Sequence, residues 1–456
     1  MSSPKVNICS NIYSENYKEW DINSTTTELI NRFIGYFIEL NDKTYILSSY
    51  HGIRNGFNTK VAYGDDIIDD ITCVCYSDYL DVALLEIPDG SYERLTLDDF
   101  KNFLIPTTGS CDFLNGDQSF NIHDVVFDKP SFNVPYIPYV SITPLGENLY
   151  ESNYSSYSGS LLICENKYVI GMLSDASDQK LNVLPTVLLY KFLKEFSDTN
   201  SFSGLTFVPL EYGHVAFPTI KNQKEYGLIT KNNYKISFEN INSTKKYKFI
   251  DETLISSIND NKFDSTYKIY DENCNINVEF NTYIMMNFKP FDEIKINYYK
   301  YNKKTKEHVD DESSVVIKLK SIHEMRYLLN DLPNEYVRYK SFIFRELSEK
   351  KIQIMKNRKI NNLYIQDKYL EKNPYCNNNK RIIIVEDLLN KDDKFEELRK
   401  DFPIKDCGES LNVAILSSIN NIPITNIDQL RKMLDETETY EFKFIFNEKT
   451  PITKTY

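Results

Sequence analysis

The sequence predicts a mainly β chain, with an all-β domain of two barrels at the N-terminal end and two smaller α+β modules after it. Three observations predict this. From about Asn31 to Leu173, short apolar runs are separated by Gly, Asn, Asp and Pro turns, and helix-period stretches are nearly absent. At Pro185 the pattern changes to TVLLYKFLKEF, Thr186 to Phe196, which puts Leu188, Leu189, Phe192, Leu193 and Phe196 on one helical face. Pro185 is placed to start that helix. The polar run SDTNSFS, Ser197 to Ser203, then reads as a linker, beyond which strand-like runs alternate with an occasional helical period. The first division is therefore 1–196.

Bulk composition narrows the function classes. A chain of 456 residues can bury several cores. Its 66 acidic against 53 basic residues give a net charge of -13, which argues against nucleic acid as the main partner. The cysteines, at Cys9, Cys73, Cys75, Cys111, Cys164, Cys274, Cys376 and Cys407, form no CxxC pair, and 5 histidines do not complete a metal site. No metal or other cofactor is expected, and the cysteines read as reduced structural thiols. Cys73 and Cys75 alternate on one strand and read as core thiols facing the same side. His123, His214, His308 and His323 have no neighbours at ligand spacing. The first twenty residues lack the basic start and apolar core of a signal peptide, and no run reaches the ~18 apolar residues of a membrane span. A cytoplasmic location and no membrane partner are therefore expected. The abundance of Asn, Lys, Ile and Tyr resembles translation of an AT-rich genome, such as that of a large DNA virus or a parasite, which brings in a virion location as an alternative.

Chemistry concentrates in one stretch, YSSYSGSLLICENKYVIGM, Tyr154 to Met172. Ser158 lies among small polar residues with Gly159 behind it, and apolar strands follow at Leu161 to Cys164 and Tyr168 to Met172. A serine nucleophile needs a tight turn whose amides face a developing oxyanion, held by strands on either side. A Ser-rich hairpin loop would have the same composition. Two further stretches separate these readings. YILSSYHGI, Tyr45 to Ile53, carries an apolar strand to His51, and YLDVALLEI, Tyr79 to Ile87, puts Asp81 at the head of a buried strand. The order His51, Asp81, Ser158 is that of the chymotrypsin-like proteases.

The resemblance extends beyond the triad. RFIGYFIEL, Arg32 to Leu40, resembles the strand that opens the barrel of an HtrA or Deg type protease, with Gly35 where that family has the glycine of its GSGF-like motif. ILSSYHGI resembles its ILTNAHV-type histidine strand, DVALLEI its DLALLKI-type aspartate strand, and SYSGSLLI its GNSGGPLV-type nucleophile loop. VIGML, Val169 to Leu173, resembles the strand lining the substrate wall. FSGLTFVPL, Phe202 to Leu210, resembles the GLGF-type opening of a PDZ domain. DETLISSINDNKFDS, Asp251 to Ser265, and KPFDEIKINYYKY, Lys289 to Tyr301, continue that likeness, and SSVVIKL, Ser313 to Leu319, closes it. A second copy is read in SFIFREL, Ser341 to Leu347, KRIIIVEDLLN, Lys380 to Asn390, and LNVAILSSINNIPITN, Leu411 to Asn426. A helix capped by Asn426, with Gln429 as capping-box partner, and a last strand EFKFIFNE, Glu441 to Glu448, complete it.

The resemblance implies a chymotrypsin-like double β-barrel followed by two PDZ-like domains, 202–320 with an insertion and 335–450, in a serine endopeptidase acting on unfolded or exposed polypeptide. Ser158 would attack the scissile carbonyl, His51 would carry its proton, and Asp81 would orient the imidazole. The amides of Ser156 and Ser158 would form the oxyanion hole. Ser174 would pair with substrate backbone, and Ser152 would lie near the base of the S1 pocket, against a basic P1 preference. Trimers or their multiples are the family's usual assembly, so a homo-oligomer is expected. Two family glycines are absent, replaced by Ser156 and Ser160, and the loop loses that much backbone freedom. A protein that keeps the fold as a scaffold or virion component without turnover is the alternative.

Overall fold

The computed structural model describes residues 4–13, 28–54, 56–69, 71–104, 109–114, 119–122, 126–128, 139–142, 157–164, 168–176, 181–208, 211–212, 237–239, 253–263, 268–302, 304, 307–321, 336–348, 382–388, 414–435, 438–445 and 452–455. The chain is mainly β and divides into two compact units. One holds residues 1–208, 212–239 and 250–321, and the other 209–211, 240–249 and 322–456. Among the described residues no helix is long and apolar enough to cross a membrane.

The first sheet has eight strands. They are β1 (Lys5–Tyr13), β2 (Glu28–Leu40), β3 (Lys43–Ser49), β4 (Gly56–Tyr63), β5 (Asp66–Ile68), β6 (Thr72–Ser77), β7 (Val82–Glu86) and β8 (Leu95–Thr96). Its order is β5-β4-β1-β2-β3-β7-β6, with β8 parallel to β2. Asn41 and Asp42, both at positive φ, close the β2-β3 hairpin in two residues, the turn whose twist matches its strands and which Asn and Asp tolerate. Ile8, Phe37, Ile46, Ala83 and Leu85 fill the core between its faces.

The second sheet has seven strands: β9 (Gly109–Phe113), β10 (Ser119–Ile122), β11 (Val126–Asp128), β12 (Tyr139–Ile142), β13 (Leu161–Cys164), β14 (Val169–Ala176) and β15 (Leu181–Pro185). Its order is β10-β9-β13-β14-β15-β12-β11. The two sheets stand where the two barrels of a chymotrypsin-like domain are expected. Helix α1 (Thr186–Thr199) follows, with Pro185 as its N-cap. It runs three residues past the expected Phe196, because Asn200 takes the left-handed cap conformation and donates its amide to Phe196 O. Lys194 pairs with Asp198 within that extension.

Next along the chain come β16 (Thr206–Phe207), β17 (Glu211–Tyr212), β18 (Ser237–Glu239), β19 (Thr253–Ile258), β20 (Asn261–Lys262), β21 (Lys268–Asp271), β22 (Ile276–Glu279), α2 (Phe280–Asn287), β23 (Glu293–Asn302), β24 (Glu307–Lys318) and β25 (Lys320–Ser321). Strands β23 and β24 pair antiparallel out to Asn302 opposite Glu307. The second unit has β26 (Tyr336–Tyr339), β27 (Phe342–Glu346), β28 (Ile383–Leu388), β29 (Ile415–Ile419), β30 (Ile422–Pro423), α3 (Ile427–Met433), β31 (Glu441–Ile445) and β32 (Ile452–Thr455). Its core stacks Phe342, Phe344, Phe442 and Phe444.

The same hairpin is built twice. SSIND in 256–260 and SSINN in 417–421 each end a strand in a two-residue Asx turn, with Asn259 and Asp260, and Asn420 and Asn421, at positive φ. Each strand shifts register one residue before its second serine, between Ile255 and Ser257 and between Leu416 and Ser418. In each, the first turn asparagine fastens the neighbouring strand through its side chain. Lys295 N donates to Asn259 Oδ1 at 2.7 Å, and Glu441 N donates to Asn420 Oδ1 at 2.8 Å. These four coincident features give the two hairpins the same local geometry.

Candidate active site

Register brings His51 to Asp81. Strands β3 and β7 pair antiparallel with Ser49 opposite Val82, so the next step outward sets Tyr50 opposite Asp81. Tyr50 N donates to Asp81 O at 3.1 Å and extends that ladder. Beyond it, His51 N donates to Asp81 Oδ1 and His51 Nδ1 meets Asp81 Oδ2, both at 2.7 Å. Asp81 holds a left-handed backbone, φ 54, which an aspartate accommodates better than most residues. The imidazole is 43% exposed and the carboxylate 15%, and the carboxylate holds the ring through Nδ1.

A second ion pair braces the same two turns. Arg54 Nη1 lies 3.3 Å from Asp78 Oδ1, three residues beyond each member of the His51–Asp81 pair, with both side chains 15% exposed. Tyr50 and Tyr76 stack at 4.3 Å beside it.

The Ser158 turn is anchored from both sheets. Ile34 N on β2 donates to Ser158 O at 2.9 Å. On the other side, Gly159 N donates to Leu173 O and Leu173 N donates to Ser160 O, each at 2.8 Å. Gly159 has φ +86, and a Cβ there would sit 2.2 Å from Ile34 O and 3.0 Å from Ser48 Oγ. Both conformation and space therefore require glycine at this position. Ser48 Oγ in turn donates to Ile34 O at 2.6 Å. The turn thus rests on the strand end that leads through Ser49 and Tyr50 to His51. Ser158 is buried, 6% exposed.

Ser174 closes the frame. It follows Leu173 directly, and its Oγ donates to Asp81 Oδ2 at 2.7 Å. The carboxylate accepts three hydrogen bonds, from His51 N, His51 Nδ1 and Ser174 Oγ. The family resemblance assigns Ser174 to substrate backbone, and its side chain is found on Asp81 instead, a contact that depends on β14 crossing from the second sheet to the aspartate turn of the first.

The lost glycines weigh differently from what the sequence suggests. Ser160 has no positive φ, and its amide donates to Tyr157 O at 2.9 Å. At this position the chain needs no glycine freedom. Ser156 and Ser152 lie outside the described residues, as do His123, His214 and His323. The alternation of Cys73 and Cys75 fails: a register shift between them leaves Cys73 exposed and Cys75 buried. Among the described residues no group of three or more His, Cys, Asp and Glu could hold a metal ion.

No family model matches the chain, and no curated protein matches it. The solved structures it is similar to include HtrA-type proteases. The HtrA-type protease AlgW with a decapeptide is 12% identical, with a TM-score of 0.46 over 70% of this chain and 95% of that one. The serine endoprotease from Yersinia pestis is 13% identical, with a TM-score of 0.39 over 70% of this chain and 94% of that one.

Proposed function

We propose that the chain is a serine endopeptidase of HtrA or Deg type that cuts unfolded or exposed polypeptide. The observation that carries this reading is the 2.7 Å contact between His51 Nδ1 and Asp81 Oδ2, with the glycine-locked turn that carries Ser158 packed on the strand end leading to His51. In this reading Asp81 keeps the Nδ1 proton in place, which leaves Nε2 to take the Ser158 proton and return it to the leaving amine. The oxyanion is held by the amides of Ser158 and Ser156. The amides of Gly159 and Ser160 are already bonded to Leu173 O and Tyr157 O, so neither enters that role. Each oxyanion donor contributes on the order of 3–4 kcal/mol to the transition state. Ser174 fixes the aspartate, and the part of β14 that runs on past its pairing with β13, which ends at Met172 opposite Leu161, is where a substrate would add by backbone pairing. The three-part division at 1–196, 202–320 and 335–450 belongs to the same reading. The duplicated hairpin supports it: the last two parts are PDZ-like modules that grip extended polypeptide or regulate the barrel. No cofactor is called on, a homo-oligomer is the assembly, and the cytoplasm is the place of action.

Purified chain and Ser158→Ala, both with verified fold, are compared on a casein-like unfolded substrate. Cleavage by the first and none by the second is the expected result. A second reading, a scaffold or virion component that has lost turnover, is favoured by Ser156 standing where the family has glycine. Equal absence of cleavage from both proteins would select it.

A further inference from the structure

Two strands form the floor beneath the Ser158 turn. Strand β13 begins three residues after Ser158 and pairs antiparallel with β9, with Leu162 opposite Phe113, Ile163 opposite Asp112 and Cys164 opposite Cys111. Tyr157, the residue before Ser158, stacks on Phe113 of β9 at 5.2 Å. The turn therefore rests on both strands.

Cys111 and Cys164 face each other at a position suited to a covalent link. Leu114 N donates to Leu161 O at 2.8 Å, which makes that pair a hydrogen-bonded one. Alternation along an antiparallel ladder then makes the Cys111–Cys164 pair non-hydrogen-bonded, where opposing Cα atoms approach to about 4.5 Å and side chains are closest. That separation lies within the range a disulfide spans without backbone movement. Both side chains point into one apolar cluster with Leu162, Ile170 and Val183, and both are thiols in this structure. Burial first, and Cys164 second, push the Cys111 thiol up to about 12, as expected of two sulfurs sharing a dry site. Cys73 and Cys75 have no such arrangement, since their register partners are Leu85 and Leu84.

We propose that Cys111 and Cys164 are a dithiol modification site, joined by a peroxide-class oxidant into a cross-strand disulfide that staples β9 to β13 under the Ser158 turn. Two S–H bonds and the peroxide O–O bond break, and one S–S bond forms. The sulfurs together give up two electrons, and the peroxide leaves as two waters that take the two thiol protons. The native register is kept, so oxidation tightens the floor of the turn without rearranging the sheet. Burial keeps the Cys111 thiol protonated and makes the reaction slow, while a small oxidant reaches the pair through brief opening of the two strands. This inference stands on the sheet register and does not depend on the chain being a protease.

The test uses the folded full-length chain. It is treated with hydrogen peroxide, quenched, unfolded, alkylated and mapped by mass spectrometry. The expected result is an intact mass lower by two hydrogen atoms and a single reducible peptide pair joining Cys111 to Cys164. Cys111→Ala should abolish that pair and leave Cys164 alkylated, and the oxidised wild-type protein should melt several degrees higher than the reduced one. Recovery of both cysteines as alkylated thiols would overturn the proposal. So would their conversion to oxygen adducts, or their linkage to other cysteines. The wild-type arm alone decides the matter should the variant fail to fold.

Discussion

Replacing Asp81 by Asn tests the site most sharply, because the structure fixes what the amide must do. Asp81 Oδ1 accepts from His51 N, and Oδ2 accepts from both His51 Nδ1 and Ser174 Oγ, each at 2.7 Å. An introduced amide has one oxygen and one NH2 to cover these positions. With its oxygen toward His51 N, the NH2 confronts Nδ1. The imidazole must then accept there and carry its proton on Nε2, the nitrogen that has to receive the Ser158 proton. With the amide turned round, the NH2 faces the His51 N–H and one donor is left unmade. The first arrangement satisfies more groups, so the wrong tautomer is the outcome. In a serine triad that exchange lowers the rate about 10⁴-fold, or about 5 kcal/mol of transition-state stabilisation. Loss of charge-assisted bonds at a carboxylate that is 15% exposed lowers folding stability by about 1–3 kcal/mol. Asp81→Asn should therefore melt only a few degrees lower while kcat/KM on a casein-like substrate falls by about 10⁴. A variant that keeps kcat/KM within about tenfold of wild type would refute the assigned role of Asp81.

Three further outcomes follow from the frame around the site. Gly159→Ala would meet both a left-handed backbone and Ile34 O at 2.2 Å, so the turn must shift. Thermal unfolding should show a loss of at least about 1–3 kcal/mol, with cleavage abolished in the material that still folds. Asp78→Asn would leave Arg54, 15% exposed and already with an unpartnered Nε, without its carboxylate. Denaturant unfolding should show a cost of about 1–3 kcal/mol. Lys191 on α1 donates to Met285 O at 2.7 Å and to Phe288 O, and burial lowers its pKa from 10.5 to about 8. Below pH 8 the lysine is charged whether folded or unfolded, and the fold bears its desolvation. Between pH 8 and 10.5 the unfolded chain binds the extra proton, so stability rises with pH there, by about 3 kcal/mol in all. Buried thiols with raised pKa oppose this trend in the wild type, so the comparison is with Lys191→Met, which should lack the lysine's rise. Equal pH slopes in the two proteins would remove Lys191 as its source.

The pairing of His51 with Asp81 was legible in the sequence, and other parts of the candidate site were less so, for physical reasons that differ between them. His51 and Asp81 could be placed because each flanks a strand of continuous apolar residues, and one antiparallel register brings the two ends together. Gly159 was legible as the glycine behind a candidate nucleophile, although its reason lies in the carbonyl of Ile34, far away in the chain. The Ser174 bond was not legible, since it requires knowing where β14 meets the other sheet. Helix ends misled in a similar way. The letters Ser197 to Thr199 read as linker, yet the left-handed Asn200 carries α1 through them. At α3, Gln429 N donates to Asn426 Oδ1 at 2.7 Å as the sequence suggests, but Gln429 Oε1 reaches Thr425 N instead of the cap residue. The Cys73–Cys75 alternation was broken by a bulge, which strand periodicity cannot show in advance. The twin SSIN turns were readable as letters, whereas their shared bulge and side-chain clip emerged only from the backbone.

Fluorophosphonate labelling of the folded chain, with the adduct mapped by mass spectrometry, tests the central claim most directly. The account predicts one adduct, on Ser158, that disappears in His51→Ala. No adduct on verified folded protein, or an adduct on another serine, would contradict it.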